Sequence, residues 1–160
     1  MTGIGIRVLS NKKIYYSIIE QKGDTYNYIS TSHLVVPLAM NKPEKLNYIR
    51  NAIVDIIQEY NITCALVRVR ERLTNINNLA VERFYIEGVL LESIAGSSVS
   101  KYALGQISSI TKHLAIERSD FKKYADNELQ FENLPEGLDW NDLTIEERES
   151  ILSCHAALKM

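Results

Sequence analysis

A chain of 160 residues, 46% of them hydrophobic, is long enough to bury a core and short enough to be one domain. Its formal charge of −2 hides a division: residues 1–125 carry 16 Lys+Arg against 11 Asp+Glu, whereas residues 126–160 carry 2 against 9. No apolar run is long enough to cross a bilayer, the first residues lack the charge, apolar block and cleavage site of a secretion signal, and two cysteines make neither a disulfide framework nor a metal cluster. Cytoplasmic residence with Cys64 and Cys154 as reduced, buried thiols is the expectation. The basic body suits an anion-binding surface partly offset by the acidic segment, or simply a solvated surface.

The opening "GIGIRVLSNKKIYYSIIEQ" reads as a β-hairpin. Ile4, Ile6 and Val8 alternate, "SNKK" turns, and Ile14 to Ile19 is rich in β-branched and aromatic residues. A turn at Gly23–Asp24 leads into "TYNYISTSHLVVP", a third antiparallel strand ending at Pro37. A helix then begins with Asn41 as cap, Pro43 in the first turn and Glu44 at the positive end of the helix dipole. Leu46, Ile49, Ile53, Ile56, Ile57 and Tyr60 give it one apolar face. Thr63–Val69 is a fourth strand, and a strand after a helical crossover pairs in parallel with an earlier one, here the first.

Past a polar loop, "TNINN", a second helix runs through Leu79, Ile86, Val89, Leu90 and Ile94 and stops at Gly96–Ser98. "VSKYAL" gives a short fifth strand, and "GQISSITKHLAIE" a third helix with Ile107, Ile110 and Leu114 inward. Residues 120–143 hold an acidic insertion; Asp120 to Asn141 has few periodic positions and reads as loop, with Phe131 or Trp140 exposed to dock a partner. A closing helix begins at Thr144. Thr144 and Glu147 form a capping box, with Glu147 as an acid of a site the alternative.

This order of elements resembles the ribonuclease H-like fold and, more narrowly, the RuvC-type Holliday-junction resolvases. The residues that carry the resemblance are "GIGIRVL" (3–9), "ALVRVRE" (65–71), "FYIEGVLLES" (84–93) and "EERESILSCHAALK" (146–159). The "VRERL" block is also similar to small uncharacterised bacterial proteins of that type. The resemblance implies an α/β domain spanning 1–160, with a central mixed five-stranded sheet, three strands antiparallel and the rest parallel, flanked by helices. It implies, too, carboxylates from the first strand, the fourth strand and the last helix gathered around Mg²⁺, where two ions roughly 4 Å apart activate water and stabilise the leaving oxygen.

Carried over residue by residue, that pattern is broken. The first-strand acid falls at Arg7, and residues 1–13 contain no acid to replace it. The fourth-strand acid falls at Glu71 and the last-helix acid at Glu147 or Glu149. A guanidinium stays charged and cannot ligate a metal; beside Glu71 it would form an ion pair instead. No cofactor is expected, and Mg²⁺ enters only for a nuclease with a rearranged site built on Glu71, Glu147 or Glu149.

In an extended strand Arg68, Arg70 and Arg72 share one face, and Val67, Val69 and Glu71 the other. With Arg7 nearby, such a cluster needs anions, either phosphates or the chain's own acids, among them Glu82, Glu87 and the acidic segment after Ala125. Lys12 and Lys13 reach a nucleic-acid backbone or simply solvate a turn. Lys101, Tyr102 and Lys112 extend a basic track, or Tyr102 joins the core. Asn75, Asn77 and Asn78 are bonding groups or ordinary loop formers. His155 falls in the closing helix as a packed histidine or a proton carrier, and His33 and His113 have no partner at metal-ligand spacing. No phosphate-binding loop, dinucleotide fingerprint or nucleophile elbow is present. Three functions follow: a nucleic-acid or phosphate-binding protein without standard two-metal hydrolysis, a structure-selective nuclease with a rearranged site, or an interaction subunit that pairs as a homodimer through "LAVERFYIEGVLLES".

Overall fold

The computed structural model describes residues 1–71, 77–132, 134 and 138–160. Strands β1 (Thr2–Val8), β2 (Lys13–Lys22), β3 (Thr25–Val35), β4 (Cys64–Arg68) and β5 (Lys101–Gly105) form one sheet in the order β3-β2-β1-β4-β5. The first three strands are antiparallel neighbours, and β1–β4 and β4–β5 are parallel. Helix α1 (Lys42–Glu59) supplies the crossover to β4, starting at Asn41 and Glu44, which close a reciprocal capping box. Helix α2 (Asn78–Ala95) supplies the next, capped by the Asn77 side chain on the Ala80 N–H at 2.9 Å.

Alternation along β1 divides the molecule. Ile4, Ile6 and Val8 join Ala65, Val67 and the inner faces of α1 and α2 in one apolar core. The other face of β1 presents Gly3, Gly5 and Arg7 to helix α5 (Ile145–Leu158). A Cβ on Gly5 would overlap the Ser150 carbonyl oxygen and the Cys154 backbone, so the missing side chain is what lets α5 lie against the strand. Every residue of α5 from Arg148 to Leu158 is buried, because the helix is enclosed by the sheet on one side and by α3 (Ile107–Leu114) and α4 (Arg118–Ala125) on the other.

Two expectations are corrected here. Residues 118–125 form α4 rather than loop, with Phe121 and Ala125 as its buried i, i+4 pair among charged positions. Trp140, expected outside, has no exposed surface: it starts a short 3₁₀ turn (Trp140–Asp142), stacks against Phe131 and donates its indole N–H to the Tyr124 carbonyl at 2.9 Å. Arg148, itself buried, fastens this segment by donating to the carbonyls of Trp140, Ala125 and Asn141 at 3.0, 2.9 and 3.4 Å. A peptide carbonyl hidden from water needs such a donor, and one guanidinium serves three.

Candidate functional site

The parallel register of β1 and β4 sets Arg7 beside Arg68. Both stand at the carboxyl ends of their strands and on the face covered by α5, α3 and α4. Two adjacent guanidiniums with little access to water require counter-charge. For Arg7 it comes from α5: its Nε donates to Glu149, and its Nη1 donates to the Val8 carbonyl at 2.8 Å. The expectation that Arg7 would neutralise Glu71 is corrected, since Glu149 is the acid that α5 carries to it.

Arg68 is held differently. Only 5% of the residue is exposed, and its guanidinium lies over the Phe121 ring, 5.7 Å from the centroid. Its nearest carboxylate oxygen, Glu71 Oε1, is 3.6 Å from Nη2, and its Nε and Nη1 have no hydrogen-bond partner among the described residues. Burial lowers its pKa; Glu149 opposes that shift and Arg7 adds to it. Glu71 lies beyond the end of β4, where strand alternation no longer applies, so it turns toward Arg68 instead of facing the opposite way as expected. Its Oε1 accepts the Ile107 N–H at 2.8 Å, and its Oε2 is 3.7 Å from Arg118 Nη2.

A third arginine reaches the strand end from α2. Arg83 donates from Nε to Glu87 at 2.7 Å and from Nη2 to the Arg68 carbonyl at 3.2 Å, both side chains being buried. Burial, with the nearby Arg7 charge, brings Arg83 down to about 10. Of the acids expected to balance the cluster, Glu87 does so, whereas Glu82 pairs with Lys42 at 2.7 Å. Sequence reasoning passed over Arg83 and Arg148. Arg83 has a local signal, a charge on the apolar stripe of Leu79, Ile86 and Leu90 with an acid four residues on; Arg148 has none, because its partners are distant carbonyls.

The remaining candidates lie apart. Glu147 closes the α5 capping box, accepting from the Thr144 N–H at 2.8 Å while its own N–H reaches Thr144 Oγ1 at 3.3 Å. Arg70 is half-buried, Lys12 and Lys13 are exposed in the first turn, and Arg72 and Asn75 fall outside the described residues. Tyr102, weighed as a core residue, is 47% exposed on the edge strand. His155 is packed among Tyr26, Tyr28 and Phe131, hydrogen-bonded to the Tyr28 hydroxyl, and desolvation brings its pKa down to about 4. Neutral at ordinary pH, it suits packing rather than proton transfer. His33 packs its ring against Tyr15.

A divalent cation needs several oxygen donors. Here guanidiniums stand at both strand ends, Glu149 is committed to one of them and Glu147 to its helix cap, so these residues do not fit a magnesium centre. Among the described residues no group of three or more His, Cys, Asp or Glu side chains is placed to hold a metal, and no helix is long and apolar enough to cross a membrane.

No family model matches the chain, and no curated protein matches it. Solved structures do. The RuvC of Thermus thermophilus, determined in complex with a Holliday junction substrate, superposes with a TM-score of 0.69 at 12% identity, covering 99% of this chain and 94% of that one. The yeast mitochondrial Holliday junction resolvase Ydc2 gives 0.63 at 15% identity, covering 98% and 77%. The fold is RuvC-like, of the ribonuclease H-like class, with the mixed five-stranded sheet expected from the order of elements.

Proposed function

We propose that this RuvC-like chain, a single cytoplasmic domain, binds nucleic acid or another phosphate-rich partner at the carboxyl end of β1 and β4 without standard two-metal hydrolysis. The observation that carries the proposal is Arg7, which stands in register with Arg68 at the position where the resemblance implies the first-strand carboxylate of a metal site. Around that pair, Arg70, Arg118 and Lys122 are at least partly exposed, as are Lys12 and Lys13 on the first turn, and Arg72 follows in sequence. Arg7, held by Glu149, would fix the strand ends from beneath while Arg68 and these outer cations meet phosphates.

The test is fluorescence anisotropy on a labelled four-way junction, a duplex and a single strand across a salt series, with and without Mg²⁺. If the chain neutralises about four phosphates, log K falls against log[salt] with a slope of roughly −3 to −4, and the DNA stays intact. Salt-independent binding would sink the proposal. Cleavage dependent on Mg²⁺ and lost in Glu71→Gln would replace it with the rearranged nuclease.

A second reading, pairing of two copies through α2, has its own support. Phe84 and Tyr85 are each 48% exposed beside Gly88, over a cavity of about 390 Å³ shared with Leu46 and Arg50 of α1. Large apolar side chains grouped on a surface mark an interface more often than isolated ones do.

A further inference from the structure

We propose that the recess at the amino-terminal ends of α3 and α4 is a site for a phosphate group, and that Glu71 is its built-in occupant, leaving when phosphate enters. This rests on the phosphate-binding reading above and names the place and chemistry of one contact. The recess has a volume of about 390 Å³ and is lined by Glu71, Ile107, Arg118, Ser119 and Lys122.

Three features show an anion site filled by an undersized anion. First, α3 begins without a side-chain cap from Gln106, and its first N–H, that of Ile107, is answered by a carboxylate 36 residues earlier in the chain. An amino-terminal helix end attracts negative charge, and here the chain itself supplies it. Second, Arg68, only 5% exposed, brings Nη2 to 3.6 Å from the same carboxylate, too far for a hydrogen bond, while its Nε and Nη1 have no partner among the described residues. Buried donors are almost always satisfied, so a guanidinium left in this way signals a missing acceptor. Third, the carboxylate touches only one of its three donors properly. It is 2.8 Å from the Ile107 nitrogen, but 3.6 and 3.7 Å from Arg68 and Arg118, both beyond hydrogen-bonding range.

A planar carboxylate has two oxygens and one charge. A phosphate has up to four oxygens arranged tetrahedrally and up to two charges, and can meet a helix end and two guanidiniums at once. Arg118 and Lys122 line the recess and Arg68 Nη2 faces it across Glu71, so the cations outweigh the one carboxylate charge, and a phosphate would improve the charge balance and bring an acceptor closer to Arg68 Nη2 and Arg118. The phosphate could be a phosphodiester of a strand, a terminal monoester or the free ion; the chemistry that recognises it is shared.

Three variants and three ligands test this. Inorganic phosphate is titrated by calorimetry into the wild-type chain, Glu71→Gln and Arg118→Gln, after circular dichroism confirms each is folded. Glu71→Gln keeps an acceptor for the Ile107 N–H but removes the competing charge, so affinity should rise about tenfold, whereas Arg118→Gln should lower it by a similar factor. In the wild-type chain, phosphate should shift the amide resonances of Ile107 and Ser119 saturably, a measurement independent of whether any variant folds. Oligonucleotides of one sequence bearing a 5′-phosphate or a 5′-hydroxyl then separate a terminal group from an internal phosphodiester. Equal phosphate affinity in all three proteins, or unmoved Ile107 and Ser119 resonances, overturns the site even if nucleic acid binds. Tighter phosphate binding by Glu71→Gln with no binding of any oligonucleotide upholds the site and removes the nucleic-acid reading.

Discussion

At the scale of single residues, His155 has the clearest measurable consequence. Its imidazole is 1% exposed and held neutral by burial, with a pKa near 4 against an ordinary 6.5. An unfolded chain protonates this group as pH falls through 6.5 while the folded chain does not until about 4. Between those values the unfolded state therefore binds more protons, and stability rises with pH across the window and levels off above it. Denaturant titrations should show a loss of about 2 kcal/mol between pH 7 and pH 4.5, much reduced in His155→Gln. Equal pH dependence in both proteins would mean that other groups govern the acid limb. The arginines illustrate the same balance of burial against charge, since each buried guanidinium at the strand ends is set against a named acid: Arg7 on Glu149, Arg83 on Glu87, Arg68 facing Glu71.

Among elements, the contact of β1 with α5 decides most. Alternation allots the α5 side of β1 to Gly3, Gly5 and Arg7, so two glycines bring the helix close and the third position brings Glu149 to the arginine. Gly5→Ala forces backbone against backbone, and its cost belongs at or above the upper end of the roughly 1–3 kcal/mol usual for overpacking. Thermal unfolding should show a marked fall in the midpoint for Gly5→Ala and a small rise for Gly88→Ala, an exposed helix-interior position where an added Cβ meets nothing within 4 Å. Much of this level was legible in advance: strand alternation, the Asn41 and Thr144 caps and the parallel crossover all rest on spacings within one segment. Helix α4 was not, because a single buried pair, Phe121 with Ala125, is too short a pattern to stand out among charges. The partner of Arg7 was not either. Choosing Glu149 over Glu71 requires the register of α5 on the sheet, a tertiary quantity with no local trace.

For the molecule as a whole, the two faces of the sheet have different duties. The α1–α2 face buries the aliphatic core and leaves Val81, Phe84 and Tyr85 of α2 exposed together, the surface that the proposed pairing of two copies would use. Sedimentation equilibrium should give a dimer that Phe84→Asp converts to a monomer without changing the circular dichroism spectrum; a wild-type monomer at high concentration would set that reading aside. The opposite face carries α3, α4, α5 and the Arg7–Arg68 pair, so pairing through α2 would leave the strand ends proposed to meet phosphate free in both copies.

The burial of α5 also orders events in time. Gly3 lies against Leu158, and the face of β1, β2 and β4 that bears Ile19, Cys64 and Leu66 has no cover until that helix arrives. At roughly 5–20 residues per second, a ribosome takes about seven to thirty seconds to pass from the first strand to this helix. For that interval the nascent sheet leaves Ile19, Leu66 and Cys64 without the apolar cover that α5 later supplies.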